Sequence, residues 1–454
     1  MLKLKFLKIF FVLTIVAAFM LPIVSCDKLG DVNEASSTSI QQSSENNGDE
    51  TEEIASSQNQ KVSIWISSEP QERIFLMESI NNFMSDNPGI EVTARHFRNE
   101  EELSDTYTAA SLAGSGPEMV LAGFDTMRKL ASDNVVKDLS NEFEYDKFLP
   151  GLVELSNYEN KKYSVPFSSK DFLVFYYNKS LVDEKFLNFE SVLEFSKSFT
   201  DAPSDKYGFL LNVNEPDWII PFVGGYLDWV YDYEGMSIFL NSNGMEKTLD
   251  FINNIYNIEN ILPPNKGYEE INNSFKSGNT AAIINGVWAI QEYEEAGINF
   301  GVAKIPKLTG ASTNPTPMIS GSGFMVNVNC SSKCLESSKK FISFMVSNDE
   351  QVNWTLNTQS FPAVNNLENE KLLNNEAIYN ILLQAKICRG VLPQDDLRIA
   401  RDAIRINVES LLSDNILPSE AKDKMQEDAI KLKSGTFKIE ENEEESAAPE
   451  TEEN

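Results

Sequence analysis

From Lys61 onward the chain repeats one pattern, in which a short apolar run is followed by a turn and then by apolar residues at helical spacing. Val62-Ser63-Ile64-Trp65-Ile66 reads as a strand, and Gln71 to Phe83 places Ile74, Phe75, Ser79, Ile80 and Phe83 near one helical stripe. Asn87-Pro88-Gly89 is a turn signal, and Ile90 to Ala94 reads as a second strand. A helix over about Glu100–Leu112 ends at Gly114-Ser115-Gly116-Pro117, before a buried strand over Glu118–Ala122. Such alternation predicts an α/β layer of parallel, doubly wound strands. Ligands of these sheets sit beyond the carboxyl ends of the strands, which points to Trp65–Glu69 and Gly123–Thr126.

The second half keeps this style less regularly. A strand over Phe172–Tyr177 precedes helical patterns to about Phe199, a long helix is predicted over Gly244–Ile258, and Ala281–Asn285 reads as a strand. Helices dominate from Leu335, with Pro393 and Pro418 as breaks, and no repeat of fixed period is visible.

Several chemistries are excluded by what the chain lacks. His96 is the only histidine, which removes Ser-His-Asp and Cys-His hydrolases and His-rich zinc sites. Neither standard Gly-rich phosphate loop is present. With 69 Asp and Glu against 38 Lys and Arg, the net charge is -31, which argues against nucleic acid or an anionic lipid surface as partner. Carboxylates are too numerous for spacing to nominate a glycosidase pair, so a binding role is favoured over catalysis, with no cofactor and no metal expected. Cys330 and Cys334 could bridge in an oxidising compartment. Cys388 is then left over if Cys26 serves another purpose.

The amino terminus supplies that purpose. Lys3, Lys5 and Lys8 precede an apolar run from Ile9 to Met20, too short for a comfortable membrane span, and Ile23-Val24-Ser25-Cys26 follows. That ending resembles the bacterial lipobox, which makes residues 1–25 a lipoprotein signal peptide and Cys26 the lipidated first residue of an extracytoplasmic, membrane-anchored protein. Residues 26–60 and 435–454 are acidic and nearly free of aromatics, as expected of a disordered tether and a disordered tail. An ordinary cleaved signal with an incidental cysteine is the competing reading.

A series of motifs in order carries a family resemblance. Val62–Ile66, Ala113-Gly114-Ser115-Gly116-Pro117-Glu118, Val165-Pro166 followed by Tyr177-Asn178-Lys179, Asn214-Glu215-Pro216, Ala282–Ala289 with its Gly286-Val287-Trp288, and Phe300–Pro306 together resemble the family 1 extracellular solute-binding proteins. The resemblance implies a two-lobed periplasmic-binding-protein-like fold of type II, each lobe an α/β sheet flanked by helices, with the ligand cleft between them. One lobe would join 61–169 with 322–370, the other 170–321 with 371–434. It implies a monomer that captures a sugar by hinge closure and delivers it to an ABC permease.

Position by position, Trp288 falls on the family's sugar-stacking Trp, Glu215 and Asp125 on ligand-binding carboxylates, and Glu69 and Asp171 on two more, with Lys170 a rival for the last. Trp65, Trp218 and Arg401 complete the candidate set; the alternatives are strand core for Trp65, a helix cap for Asp125, packing for Trp218 and a salt-bridged face for Arg398, Arg401 and Arg405. An aromatic face suits the C–H side of a pyranose and carboxylates accept its hydroxyls. Ala122, Pro70, Asp217 and Arg401 replace side chains of the family pattern, which points to a sugar smaller than or shaped differently from a maltodextrin. A cationic or peptide-like solute, a sensor-linked receptor and a carbohydrate-active enzyme remain the alternatives.

Overall fold

The computed structural model describes residues 60–436 except Glu184, Asn265, Gln359, Glu368 and Asp414. The signal peptide, Cys26 and most of the acidic tether and tail predicted from the sequence lie outside the described residues.

The predicted βα alternation forms. Strand β1 (Gln60–Ile66) buries Val62, Ile64 and Ile66, and helix α1 (Pro70–Asp86) starts on a proline, whose missing N–H leaves no bond unmade at that position. Strand β2 (Ile90–His96) leads to α2 (Glu100–Leu112), whose first turn is capped by Asn99 Oδ1 accepting from the Glu102 amide at 2.8 Å. Then come β3 (Met119–Gly123), α3 (Phe124–Ser132), α4 (Pro150–Leu155) and β4 (Val165–Lys170). Only Asp171 and Phe172 separate β4 from β5 (Leu173–Asn178). The chain continues through α5 (Phe189–Phe199), β6 (Tyr207–Leu210), α6 (Pro216–Gly225), α7 (Asn243–Asn253), α8 (Tyr268–Lys276), β7 (Thr280–Gly286) and β8 (Phe300–Ala303). It returns in β9 (Met318–Val326), α9 (Ser332–Met345), α10 (Asn348–Asn357) and β10 (Phe361–Pro362), and closes with α11 (Glu376–Ala385), α12 (Gln394–Leu412) and α13 (Pro418–Lys433).

Two sheets result. The first has the order β10-β4-β9-β3-β1-β2, and the second β8-β5-β7-β6. In the first sheet β2, β1 and β3 run parallel, as the alternation predicts, whereas β9, β4 and β10 each lie antiparallel to the neighbour before them, and Arg389–Gly390 pairs parallel with the start of β9. The reason is connectivity. Strand β9 enters this sheet from the second one rather than through a helical crossover, so the handedness rule for parallel units does not govern it. At the neck Asp171 takes a left-handed φ of 57°, tolerated by Asp, and its carboxylate accepts the Ser320 hydroxyl of β9 at 2.6 Å. Phe172 and Phe361 meet there edge to face at 5.8 Å.

Cys330 and Cys334 are joined in a disulfide at the start of α9, and Cys388 is a buried free thiol. No helix among the described residues is long and apolar enough to cross a membrane.

One buried carboxylate gives the fold a pH signature. Glu350 in α10 is 6 % exposed and accepts the hydroxyl of Ser79 from α1. Burial raises its pKa above the ordinary carboxylate value, with Ser79 and Asn353 opposing and Glu78 and Asp349 adding to the rise. A carboxyl whose folded pKa is raised contributes its stability in the protonated form, and that contribution is lost as pH climbs through the folded value. Glu350→Gln, which imitates the protonated acid, is therefore expected to melt above the parent at about pH 7.5, with the gap closing near about pH 4. Calorimetric melts across that range check this; an equal gap at both ends contradicts it.

Candidate ligand-binding site

A cavity of about 640 Å³ opens where the carboxyl ends of β1, β2 and β3 meet the neck strands β4 and β9. That volume suits a small-molecule site, which spans roughly 300–1,000 Å³. Ser67, Ser68, Glu69 and Pro70 follow β1 into it, and His96, Arg98, Asn99 and Glu100 come from the end of β2 and the loop into α2. Ser168, Lys170 and Ser322 reach it from the neck, while Leu76, Phe167 and Trp354 form its apolar part.

Polar contacts order these groups. His96 Nε2 lies 2.9 Å from the Ser68 carbonyl, a contact that requires the proton on Nε2 and leaves Nδ1 to accept from Arg73 Nη1 at 3.4 Å. Glu100 accepts from the Gly123 amide at 2.9 Å and from the Thr126 hydroxyl at 2.6 Å. Glu72 accepts from Ser360 Oγ and, at 3.3 Å, from the amide of Glu69. Neither carboxylate forms an ion pair with Arg73, Arg98 or Lys170.

A second group of candidate residues gathers on the other sheet and its helices. Trp288 follows β7, is 47 % exposed, and donates from Nε1 to Tyr268 Oη at 3.0 Å. Its ring meets Trp218 edge-on at 6.4 Å. Trp218 itself is buried, with its N–H committed to the Ile284 carbonyl at 2.8 Å, so it supports Trp288 from behind. Proline at the first position of α6 starts that helix beside Glu215 and Asp217. Arg401 Nε and Nη2 clamp both oxygens of Asp217, the Nε contact being 2.8 Å, and Arg405 reaches Glu215 at 3.3 Å. The Asp217 bond holds the Arg401 guanidinium above its ordinary pKa.

Asp125 links the two groups. It lies in the first turn of α3, where burial raises its pKa, Arg128 opposes the rise, and Glu100, which lines the cavity, adds to it. Gln394 and Asp395 at the start of α12 also border it, and α12 carries Arg401 and Arg405.

Of the eight residues nominated from the sequence, Glu69 lines the cavity. Trp288, Glu215, Trp218 and Arg401 cluster on the second lobe, with Asp125 at its border. Asp171 is at the neck bonded to Ser320, whereas its rival Lys170 lines the cavity. Trp65 packs on Phe97 at 4.9 Å and on Tyr107 at 6.1 Å, with the Arg95 guanidinium 5.1 Å from its ring centre, and does not line the cavity. Arg73, His96, Arg98, Asn99, Glu100 and Trp354 were not nominated. The strand-end rule applied to β2 as well as to β1 and β3 reaches four of them, from His96 to Glu100. Among the described residues no group of three or more His, Cys, Asp or Glu could hold a metal ion.

Residues 78–379 match the family model of the bacterial extracellular solute-binding proteins, about two thirds of the chain. The chain belongs to this family. A maltotriose-binding protein of Pyrococcus abyssi is 24% identical over 327 residues, 70% of each chain. A maltooligosaccharide ABC transporter solute-binding lipoprotein of Streptococcus pneumoniae is 28% identical over 284 residues, 57% of this chain and 62% of that one. Among solved structures, an extracellular solute-binding protein of Staphylococcus aureus in complex with maltose superposes with a TM-score of 0.72 at 19% identity, covering 83% of this chain and 99% of that one. The two sheets with their helices are thus the two lobes of a solute-binding protein, and the family's place of action is outside the cytoplasm.

Proposed function

We propose that this solute-binding protein captures an oligosaccharide between its lobes, closes about the neck, and presents the closed form to an ABC permease, held near the membrane by lipid on Cys26. The observation that carries the reading is the pairing of a strand-end cavity on one lobe with the half-exposed Trp288 and its flanking carboxylate–guanidinium pairs on the other. The relatives named for maltotriose and maltooligosaccharides support a saccharide ligand, and the one named a lipoprotein supports the anchor at Ser25-Cys26. A lobe division near 61–169 with 322–370 and 170–321 with 371–434 keeps most of each sheet within one lobe; Lys170 at the end of β4, the first residues of β9 and Arg389–Gly390, which pairs with β9, fall across it although they belong to the first sheet.

Ligand that touches both lobes only when they are closed shifts the population toward closure. Neutral and charged tri- and tetrasaccharides added during small-angle scattering are expected to reduce the radius of gyration. A panel in which none does so overturns the reading. In the same preparation Cys26→Ser is expected to move the protein from the membrane to the soluble fraction.

A further inference from the structure

We infer, resting on the saccharide reading above, that the ligand is an acidic oligosaccharide, a sugar carrying a carboxylate or sulfate group that the first lobe's cations bind. On the second lobe Arg401 and Arg405 are ion-paired with carboxylates. The three cations that line the cavity, Arg73, Arg98 and Lys170, are not. Among the described residues Arg98 and Lys170 have no ion pair and no side-chain hydrogen bond, and Arg73 has only the neutral Nδ1 of His96.

Of the three carboxylates that line the cavity, Glu69, Glu72 and Glu100, the last two are engaged elsewhere. Glu100 has both oxygens occupied by Gly123 and Thr126, and Glu72 is held by Ser360 and the Glu69 amide. On the second lobe the arrangement is the reverse. There Arg401 and Arg405 are paired with Asp217 and Glu215, which leaves the Trp288 face as the main open surface. One lobe thus offers a stacking face with its charges matched, and the other offers unmatched cations beside a polar cavity.

A ligand that satisfies both has a sugar ring for the indole and an anion directed at Arg98 and Lys170. A carboxylate or sulfate suits them because each accepts charge-assisted bonds from several N–H groups at once. A neutral sugar would leave both cations unmatched in the closed, partly dehydrated cleft, a cost the acidic ligand avoids.

Calorimetric titration of the full chain with maltotriose, trigalacturonic acid and a sulfated trisaccharide tests this. The expected result is at least about tenfold tighter binding of one acidic probe than of maltotriose, the value of one charged hydrogen bond. Which acidic probe wins tells carboxylate from sulfate. In the double variant Arg98→Gln, Lys170→Gln that preference is expected to fall by about tenfold or more; its melting temperature reports whether it is folded. A preference below about tenfold for both acidic probes over maltotriose, or a preference that survives the double substitution, overturns the inference and leaves the saccharide reading standing. Binding of none of the three overturns both.

Discussion

Trp354→Ala is expected to destabilise the protein by about 3–5 kcal/mol, the range for removing a fully buried large aromatic. Trp354 is 1 % exposed, with ring centres 4.6 Å from Phe167 and 5.6 Å from Phe75. Phe167 continues the contact to Phe324 of β9 at 5.0 Å, so one aromatic chain joins α1, α10 and both neck strands. Its Nε1 has no hydrogen-bond partner among the described residues, so the loss is one of packing and void rather than of a bond. The indole also forms part of the cavity wall, and its removal enlarges the very space that receives ligand. Urea unfolding measures the loss. A change below about 1 kcal/mol would show that the surrounding rings collapse into the space, and that Trp354 does not hold the neck.

Much of this framework is legible in the chain. Val62–Ile66, Ile90–Ala94 and the helix over Glu100–Leu112 are visible because strand and helix impose periods of two and 3.6 on apolar residues. Placement of β9 beside β3 leaves no local trace, because the pairing of Phe324 with Leu121 joins residues far apart in sequence. The same holds for the site. Glu69 follows from its position after a strand. Arg98 stands out only in the structure, where it lines the cavity with no ion pair among the described residues, and Trp354 looks in sequence like any core tryptophan of an amphipathic helix. Trp218 and Trp288 are neighbours in kind and differ in role: the first has its N–H tied to Ile284 and is buried, the second is left with an open face. Arg401 and Asp217, far apart in sequence, form a fork-to-carboxylate pair that no local pattern reveals.

Trp288→Ala is expected to weaken saccharide binding by about 2 kcal/mol or more, roughly thirtyfold, as for an aromatic anchor at the centre of an interface. Stability should change far less, because the ring is 47 % exposed and gives up one bond, to Tyr268. Truncation alone cannot separate a missing ring from a misplaced one, and Gly286 supplies the second variant. A Cβ built on Gly286 would lie 2.1 Å from the Trp288 ring, so Gly286→Ala must turn the indole off its present seat against Trp218 and Tyr268. Gly286→Ala therefore keeps every aromatic group and is expected to weaken binding nearly as much as Trp288→Ala, with a change in tryptophan emission reporting the displaced ring. Should both variants bind the saccharide within about twofold of the parent, the energy of recognition lies elsewhere than on this indole, since an anchor costs at least tenfold.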